Sequence, residues 1–162
     1  MTQKLLLEKI DNTAQITINN PSANTWDLES LSGLQEIIEN LNKDNEIFAL
    51  VITGQGDKFF SAGADLKVFH EGGKEAAKEM SNAFSKAFES LSNFRGVSIA
   101  AINGFAMGGG LECALACDIR VAEEKAVLAL PEPKVGLLPC GGGTQVLPCL
   151  LYTSDAADDL LC

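Results

Sequence analysis

The stretch AAINGFAMGGGLECALACDIRVA, residues 100–122, predicts a strand, a helix and a second strand in close succession. The apolar run VSIAAI, which overlaps its start, is typical of a strand covered on both faces. Residues 108–117 begin with three glycines and continue as a run that is apolar on nearly every side, which indicates a buried helix. The segment DIRVAEE, which begins at Asp118, predicts the next strand. This order indicates a crossover between parallel strands.

The segments at the start of the chain predict a hairpin and an amphipathic helix. AQITINN, residues 14–20, alternates between apolar and polar side chains as a half-buried strand does, and KLLLEKI, residues 4–10, is its candidate hairpin partner. Asp27 is a candidate N-cap. Leucines and isoleucines follow it at helical spacing from Leu28 to Leu41, which predicts a helix with one buried face.

The remaining segments continue the alternation of strands and helices. IFALVIT, residues 47–53, predicts another buried strand, and a glycine-containing loop leads from it to an amphipathic helix over residues 74–91. AVLAL, residues 126–130, predicts a short strand, and the loop 131–145 leads into a further helix. Strands that alternate with helices predict an α/β fold with a mostly parallel sheet.

Composition excludes several classes of partner. The 162 residues carry a formal net charge of -10, which disfavours binding to nucleic acid or to anionic membranes. No stretch approaches the roughly 18 continuous apolar residues of a membrane helix, and the first residues do not have the pattern of a signal peptide. The five cysteines show no paired framework and no CxxC motif, so we interpret them as small core residues rather than metal ligands. These features predict a cytoplasmic protein without a metal site.

The loop FFSAGADLK, residues 59–67, is the first candidate for a functional site. It follows a buried strand, and ligands of open α/β sheets lie beyond the carboxyl ends of strands. Its small residues, Ala62, Gly63 and Ala64, leave backbone N–H groups accessible. The alternative is an ordinary loop that uses Gly63 for its backbone angle.

The glycines 108–110 form the second candidate. They lie where a helix begins, and the first N–H groups of a helix have no internal partner and attract a negative oxygen. The spacing matches neither a dinucleotide fingerprint nor a P-loop. Glu112 is a lone acid in the apolar helix that follows, and a buried charge is costly unless it is paired or faces a wet cavity. It is either a catalytic group or a residue satisfied by the dipole of its own helix.

Glu132 provides the third candidate, because it lies between two prolines that stiffen its backbone. It is either a surface acid in a turn or the partner of Glu112. The twenty residues between the two glutamates contain a helix and short strands, which is enough chain to return to the same end of the sheet. Two carboxylates in one cleft can act as an acid and a base.

Three motifs, in order and at the usual separations, resemble the crotonase family, the enoyl-CoA hydratase/isomerase superfamily. They are SAGADLK at 61–67, AAINGFAMGGGLECALACDIRVA at 100–122 and LPEPKVGLLPCGGGTQ at 130–145. The resemblance covers about residues 4 to 150. It implies a spiral of ββα units, usually assembled as trimers or pairs of trimers, that binds acyl-CoA thioesters and stabilises an enolate with two backbone N–H groups.

The resemblance also implies roles for individual residues. The N–H groups of Ala64 and Gly109 would form the oxyanion hole, and Glu112 and Glu132 fall on the two positions that carry glutamates in the hydratases. The segments expected to contact the CoA-bearing substrate contain Ala23, Asn24, Ala62, Asp65, Leu66, Lys67 and Gly108.

These roles imply an enoyl-CoA hydratase of the fatty-acid β-oxidation type, with coenzyme A as part of the substrate and no separate cofactor. The alternatives are a 3,2-enoyl-CoA isomerase, another acyl-CoA enzyme of the family, and a non-catalytic acyl-CoA-binding or RNA-binding relative. The acidic net charge disfavours the RNA-binding alternative.

The resemblance predicts where the domain ends. Residues 1–150 are predicted to form a crotonase core domain that lacks the C-terminal helical part, since the family's chains continue well past the GGT motif. Residues 151–162, LYTSDAADDLLC, lack the periodicity of the preceding segments, and we interpret them as a non-native tail.

Overall fold

The computed structural model describes residues 3–152, apart from the side chains at positions 69–71 and 152. The strands are β1 (Leu5–Ile10), β2 (Thr13–Ile18), β3 (Ala49–Gly54), β4 (Phe59–Ser61), β5 (Val97–Ile102), β6 (Phe105–Met107), β7 (Ile119–Ala122) and β8 (Leu128–Ala129). The helices are α1 (Leu28–Leu41), α2 (Leu66–Ser92), α3 (Gly109–Leu115) and α4 (Gly143–Tyr152), with a 3-10 helix at Glu132–Val135. The α/β class is therefore confirmed. None of the helices in the described part is long and apolar enough to cross a membrane.

The strands form two sheets, and each ββα unit of the chain contributes one strand to each sheet. The larger sheet has the order β1-β2-β3-β5-β7, in which β1 is antiparallel to β2 and the other pairs are parallel. The smaller sheet has the order β4-β6-β8 and is parallel throughout. In the units β3-β4-α2 and β5-β6-α3, the first strand joins the larger sheet and the second joins the smaller sheet. This arrangement is the expected spiral of ββα units with a mostly parallel sheet.

The small sheet positions the loops that carry the candidate motifs. Ser61 at the end of β4 is paired with Ala106 of β6, and the two strands run in the same direction. The carboxyl ends of neighbouring parallel strands lie at the same edge of a sheet, so the loop after β4 and the start of α3 must lie side by side. The sequence did not predict β4 and β6, because three residues are too few to show an alternating pattern.

Helix α2 begins earlier than predicted, at Leu66 rather than near residue 74. Asp65 caps its first turn by accepting a hydrogen bond from the Lys67 N–H at 3.1 Å. Gly73 has non-helical angles, φ 62° and ψ -153°, so a first short helix and a longer second one meet at a kink. The apolar periodicity belongs to the second helix. The first helix was not predicted, because Gly72 and Gly73 at the kink interrupt the helical pattern.

The main core lies between the larger sheet and helices α1 and α2. Trp26 is fully buried there, and its ring packs edge-on against Phe88 with 5.8 Å between ring centroids. Cys113 and Cys117 are buried free thiols, as expected for small core residues. The expectation of unpaired cysteines is wrong for Cys149, which is disulfide-bonded.

The predicted tail falls almost entirely outside the described residues. Its first two residues, 151 and 152, continue α4, and residues 153–162 are not described. The interpretation of 151–162 as a non-native tail therefore stays a prediction.

Asp27 is the N-cap of α1, as the sequence predicts, and its carboxylate accepts a hydrogen bond from the Ser30 N–H at 2.9 Å. Lys4 also donates to this carboxylate at 2.6 Å. Burial by itself would raise the pKa of Asp27, but the hydrogen bonds from Lys4 and Ser30 outweigh it and hold the pKa below the ordinary value. The cap is therefore an ionised carboxylate at neutral pH.

Replacing Asp27 by alanine is expected to lower the free energy of unfolding by about 1 kcal/mol near neutral pH. The lowered pKa means that the charge-dependent part of this stability is present above the ordinary pKa of aspartate, 3.8, and is lost as the pH falls through the lower folded value. Urea denaturation at about pH 7 and about pH 3 measures the difference. Asp27→Asn, which can still cap, is the control. If the difference in free energy of unfolding between Asp27→Asn and the wild type did not change with pH, the role of the ionised Asp27 carboxylate would be contradicted.

Candidate active site

The loop after β4 and the N-terminus of α3 are in direct backbone contact. A Cβ added to Gly63 would lie 2.7 Å from the Met107 carbonyl oxygen and 3.1 Å from the Gly109 nitrogen. Gly63 also has a φ of 88°, which side-chain-bearing residues rarely adopt. Gly63 is therefore required for its backbone angle, as the ordinary-loop alternative expects, and also for its close approach to α3.

The backbone N–H groups of Ala64 and Gly109 lie at this contact. A parallel bridge fixes the chain around Ala64, in which Trp26 N–H donates to the Gly63 carbonyl at 2.8 Å and Asp65 N–H donates to the Trp26 carbonyl at 2.9 Å. Gly109 is the first residue of α3, where an N–H has no partner within the helix. Neither N–H donates to any residue in the described part of the chain, and both residues line one cavity.

The start of α3 is packed too closely for side chains. A Cβ on Gly109 would lie 2.5 Å from Cε1 of Phe84, and a Cβ on Gly110 would lie 2.2 Å from the Ser61 carbonyl oxygen. The glycine run therefore allows α3 to rest directly on β4 and on the Phe84 ring of α2. These contacts hold the Gly109 N–H in place before any ligand binds.

Glu112 is buried, with 2% of its surface exposed, yet its carboxyl group is not isolated. Its Oε1 accepts hydrogen bonds from the Gly141 N–H at 2.7 Å and the Gly143 N–H at 2.9 Å. Burial raises the pKa of Glu112, and the backbone N–H groups of Gly143, Gly141 and Cys140 only partly oppose the rise. Gly143 is the first residue of α4, so the carboxylate lies at the N-terminus of α4 and is held there rather than by its own helix.

Glu132 begins the 3-10 helix and faces the same cavity as Glu112. Its Oε1 lies 3.0 Å from the position of a Cβ on Gly108, whose φ of 53° also requires glycine. Its Oε2 is buried and has no hydrogen-bond partner in the described part of the structure. Burial raises the pKa of Glu132, and the nearby negative charge of Glu112 raises it further. Two carboxyl groups that favour protonation more than ordinary glutamates therefore share one site.

The cavity between these groups has a volume of about 660 Å³, which is within the range of small-molecule sites. Glu112 and Glu132 are among its polar lining residues, and much of its wall is apolar. The three segments that carry the motifs form most of its lining: Ala62, Gly63, Ala64, Asp65 and Leu66 after β4; Gly108, Gly109 and Glu112 at α3; and Pro131, Glu132, Lys134, Val135, Leu137, Leu138, Pro139 and Cys140 in the last loop.

Three of the predicted substrate-binding residues do not line the cavity. Asn24 is buried, and its Nδ2 donates to the carbonyls of Gln55 and Phe59 at 3.0 and 2.8 Å, so it holds two loops together. Ala23 accepts the Ala62 N–H at 3.0 Å, and Lys67 is exposed. Binding of coenzyme A by these three residues stays a prediction.

The structure adds residues to the site that the motifs did not indicate. Thr25 before α1 and Ala77, Ser81 and Phe84 of α2 all line the cavity. Phe84 could have been found, because it lies on the inward face of the predicted amphipathic helix. No pattern in the sequence distinguishes the others. Within the described residues, no group of three or more histidine, cysteine, aspartate and glutamate side chains could hold a metal ion.

The fold and the site define a class: a ββα spiral with two backbone donors and two carboxyl groups around one apolar cavity. The chain belongs to the enoyl-CoA hydratase/isomerase family, whose model matches residues 8–161.

Curated relatives agree with this family. The chain is 43% identical over 155 residues to a putative enoyl-CoA hydratase/isomerase, YngF, of Bacillus subtilis, covering 95% of this chain and 60% of the relative. It is 38% identical over 148 residues to a short-chain-enoyl-CoA hydratase of Clostridium acetobutylicum, covering 91% and 57%. The chain thus spans less than two thirds of the length of these relatives.

Solved structures show the same fold. DspI of Pseudomonas aeruginosa matches with a TM-score of 0.89 and 67% identity, over 91% of this chain and 60% of that one. An enoyl-CoA hydratase from Bacillus anthracis matches with a TM-score of 0.89 and 35% identity, over 98% of this chain and 62% of that one.

Proposed function

We propose that the parent protein of this chain is an enoyl-CoA hydratase, which adds water to a trans-2-enoyl-CoA to give a 3-hydroxyacyl-CoA. One observation carries the proposal: the carboxyl groups of Glu112 and Glu132 line the same apolar cavity as the unpaired N–H groups of Ala64 and Gly109. Relatives named short-chain-enoyl-CoA hydratase and crotonyl-CoA hydratase support the same reaction.

The backbone donors stabilise the negative charge that the reaction creates. Addition of water to a conjugated thioester moves charge onto the carbonyl oxygen, which would lie against the N–H groups of Ala64 and Gly109. Preorganised donors of this kind lower a barrier by about 3–4 kcal/mol each. The contact between Gly63 and Gly109 supports this role, because it fixes the two donors before the substrate arrives.

The two glutamates exchange the protons. Glu112 takes a proton from water while the water oxygen bonds to C3, and Glu132 holds that water and gives a proton to C2. Return of the proton from Glu112 to Glu132 restores the starting state, so that the net change is addition of one water. The hydrogen bonding of the two groups supports this division of roles: Oε1 of Glu112 accepts two backbone N–H groups, which favour the ionised form that a base needs, whereas Oε2 of Glu132 is buried with no partner in the described residues.

Several further properties belong to the same proposal. Coenzyme A enters as part of the substrate, so the reaction needs no separate cofactor. The reaction would serve cytoplasmic fatty-acid β-oxidation, and the parent protein would assemble as a homotrimer or a dimer of trimers. The apolar residues of the cavity, such as Leu66 and Leu138, support an acyl-thioester substrate.

A 3,2-enoyl-CoA isomerase is the second candidate. The family description and the name of the Bacillus subtilis relative both include isomerases, and a pair of carboxyl groups can also move a proton along an acyl chain. The two reactions differ in whether water is added.

Incubation of the parent protein with crotonyl-CoA distinguishes the two reactions. A hydratase removes the conjugated double bond, so we expect the absorbance of the conjugated thioester to fall. A parallel incubation with a 3-enoyl-CoA measures isomerisation. Conversion of the 3-enoyl-CoA with no loss of crotonyl-CoA would refute the hydratase proposal in favour of the isomerase.

A further inference from the structure

We propose that the turn Gly141–Gly143 is a backbone clamp that orients the Glu112 carboxylate, and that Gly141 and Gly143 are positioning residues while Gly142 is not. The functional meaning of the clamp rests on the proposed role of Glu112. The contact itself can be tested without any activity.

Both donors of the clamp act on the same oxygen. The N–H groups of Gly141 and Gly143 donate to Oε1 of Glu112 at 2.7 and 2.9 Å, across 29 and 31 residues of chain. Hydrogen bonds to a charged acceptor are short and strong, and two of them fix the rotation of the carboxyl group. Oε2 is then the oxygen with more capacity left to exchange a proton with water.

The absence of side chains at the two positions is part of the clamp. A Cβ on Gly143 would lie 3.1 Å from Oε1 of Glu112 and 3.0 Å from Cδ1 of Leu130. A Cβ on Gly141 would lie 3.0 Å from Oε2 of Glu112 and 2.6 Å from the buried Phe88 ring. Alanine at either position must therefore displace the carboxylate or the surrounding core.

Gly142 lies between the two donors but has another role. Its φ of 107° needs glycine, while the nearest atom to an added Cβ is Cγ2 of Val146 at 3.7 Å. Its carbonyl accepts the Val146 N–H at 2.9 Å and so begins α4. The residue shapes the turn without contacting Glu112, which makes its amide an internal control.

The clamp also sets how easily Glu112 ionises. Burial raises the pKa of this carboxyl group, and the bonds from Gly143 and Gly141, with a smaller effect of the Cys140 N–H, lower it. Glu132 is a titratable group that faces it across the cavity. Loss of either bond should move the titration of Glu112 to higher pH, because hydrogen bonds to the charged form favour that form. A purely structural role of the turn would leave this titration unchanged.

The test follows backbone amides by nuclear magnetic resonance while the 162-residue chain is titrated with acid. We expect the amide protons of Gly141 and Gly143 to shift with the midpoint of the Glu112 carboxyl carbon, and the Gly142 amide to shift much less. In Glu112→Gln this transition should disappear from both amides. Amides of Gly141 and Gly143 that do not follow Glu112 would overturn the proposal.

Gly143→Ala gives a second, independent measurement. We expect the midpoint of Glu112 to move to higher pH in this variant while the other backbone resonances show an intact fold. An unchanged midpoint in a folded variant would overturn the proposal, and if the variant does not fold, the wild-type amide titration still decides. If the amides titrate as expected but the parent protein has no hydratase activity, the proposed function is refuted while the proposal of the clamp is retained.

Discussion

Glu112→Gln in the parent protein is expected to lower kcat for hydration of an enoyl-CoA by about a hundredfold to ten-thousandfold, the usual contribution of a general base. Glutamine keeps the shape of glutamate, and its carbonyl oxygen can still accept the N–H groups of Gly141 and Gly143. The variant therefore loses the base and retains the site. Steady-state kinetics measure the loss, and binding of an unreactive CoA ester should change little.

Two further variants complete this experiment. Glu132→Gln should lower kcat to a similar extent, since it removes the proposed acid from the same cavity. Glu36→Gln, on the exposed side of α1, makes the same chemical change away from the cavity and should leave kcat unchanged. If turnover survived both Glu112→Gln and Glu132→Gln, the assignment of acid and base would be wrong.

Gly110→Ala is expected to lower the free energy of unfolding by about 3 kcal/mol, the upper part of the usual range for overpacked cores. The new Cβ would lie 2.2 Å from the carbonyl oxygen of Ser61, which is part of strand β4 and cannot rotate away. Helix α3 would have to move off the sheet, and the contact between Gly63 and Gly109 would open. Chemical denaturation measures the loss of stability, and kcat should fall with it.

Gly56→Ala separates this steric effect from the loss of a glycine as such. Gly56 lies in the turn between β3 and β4 with a φ of 86°, and a Cβ there would meet no atom within 4 Å. Backbone strain alone should cost about 1 kcal/mol and leave kcat intact. A Gly110→Ala variant as stable as Gly56→Ala would show that α3 does not rest on β4 as described.

The sequence predicted the parts of the fold that have a strong period. The apolar spacing after Asp27 predicted α1 with its cap, and the continuous apolar runs predicted the central strands β3 and β5. The short strands β7 and β8 were predicted, but β4 and β6 were missed, since they owe their conformation to pairing with each other rather than to their own three residues. Tertiary pairing of this kind leaves no local pattern.

The candidate site was predictable for a different reason. Glu112 was conspicuous because a charge in an apolar helix is costly, and Glu132 because prolines flank it. The residues that hold these side chains could not be predicted, because every residue other than proline has a backbone N–H and the sequence does not show which of them will donate to a side chain. The sequence placed the glycines at 141 and 143 only in a loop, while in the structure their N–H groups donate to Glu112.

The proposed chemistry requires that Glu112 and Glu132, distant in sequence, share one cavity, and a titration of the Glu132 side-chain carboxyl carbon tests this most directly. The negative charge of Glu112 raises the pKa of Glu132, in addition to the effect of burial. Removal of that charge in Glu112→Gln should therefore lower the pKa of Glu132, whereas Glu36→Gln should not change it. A pKa of Glu132 that is the same in Glu112→Gln and in the wild type would contradict a shared site.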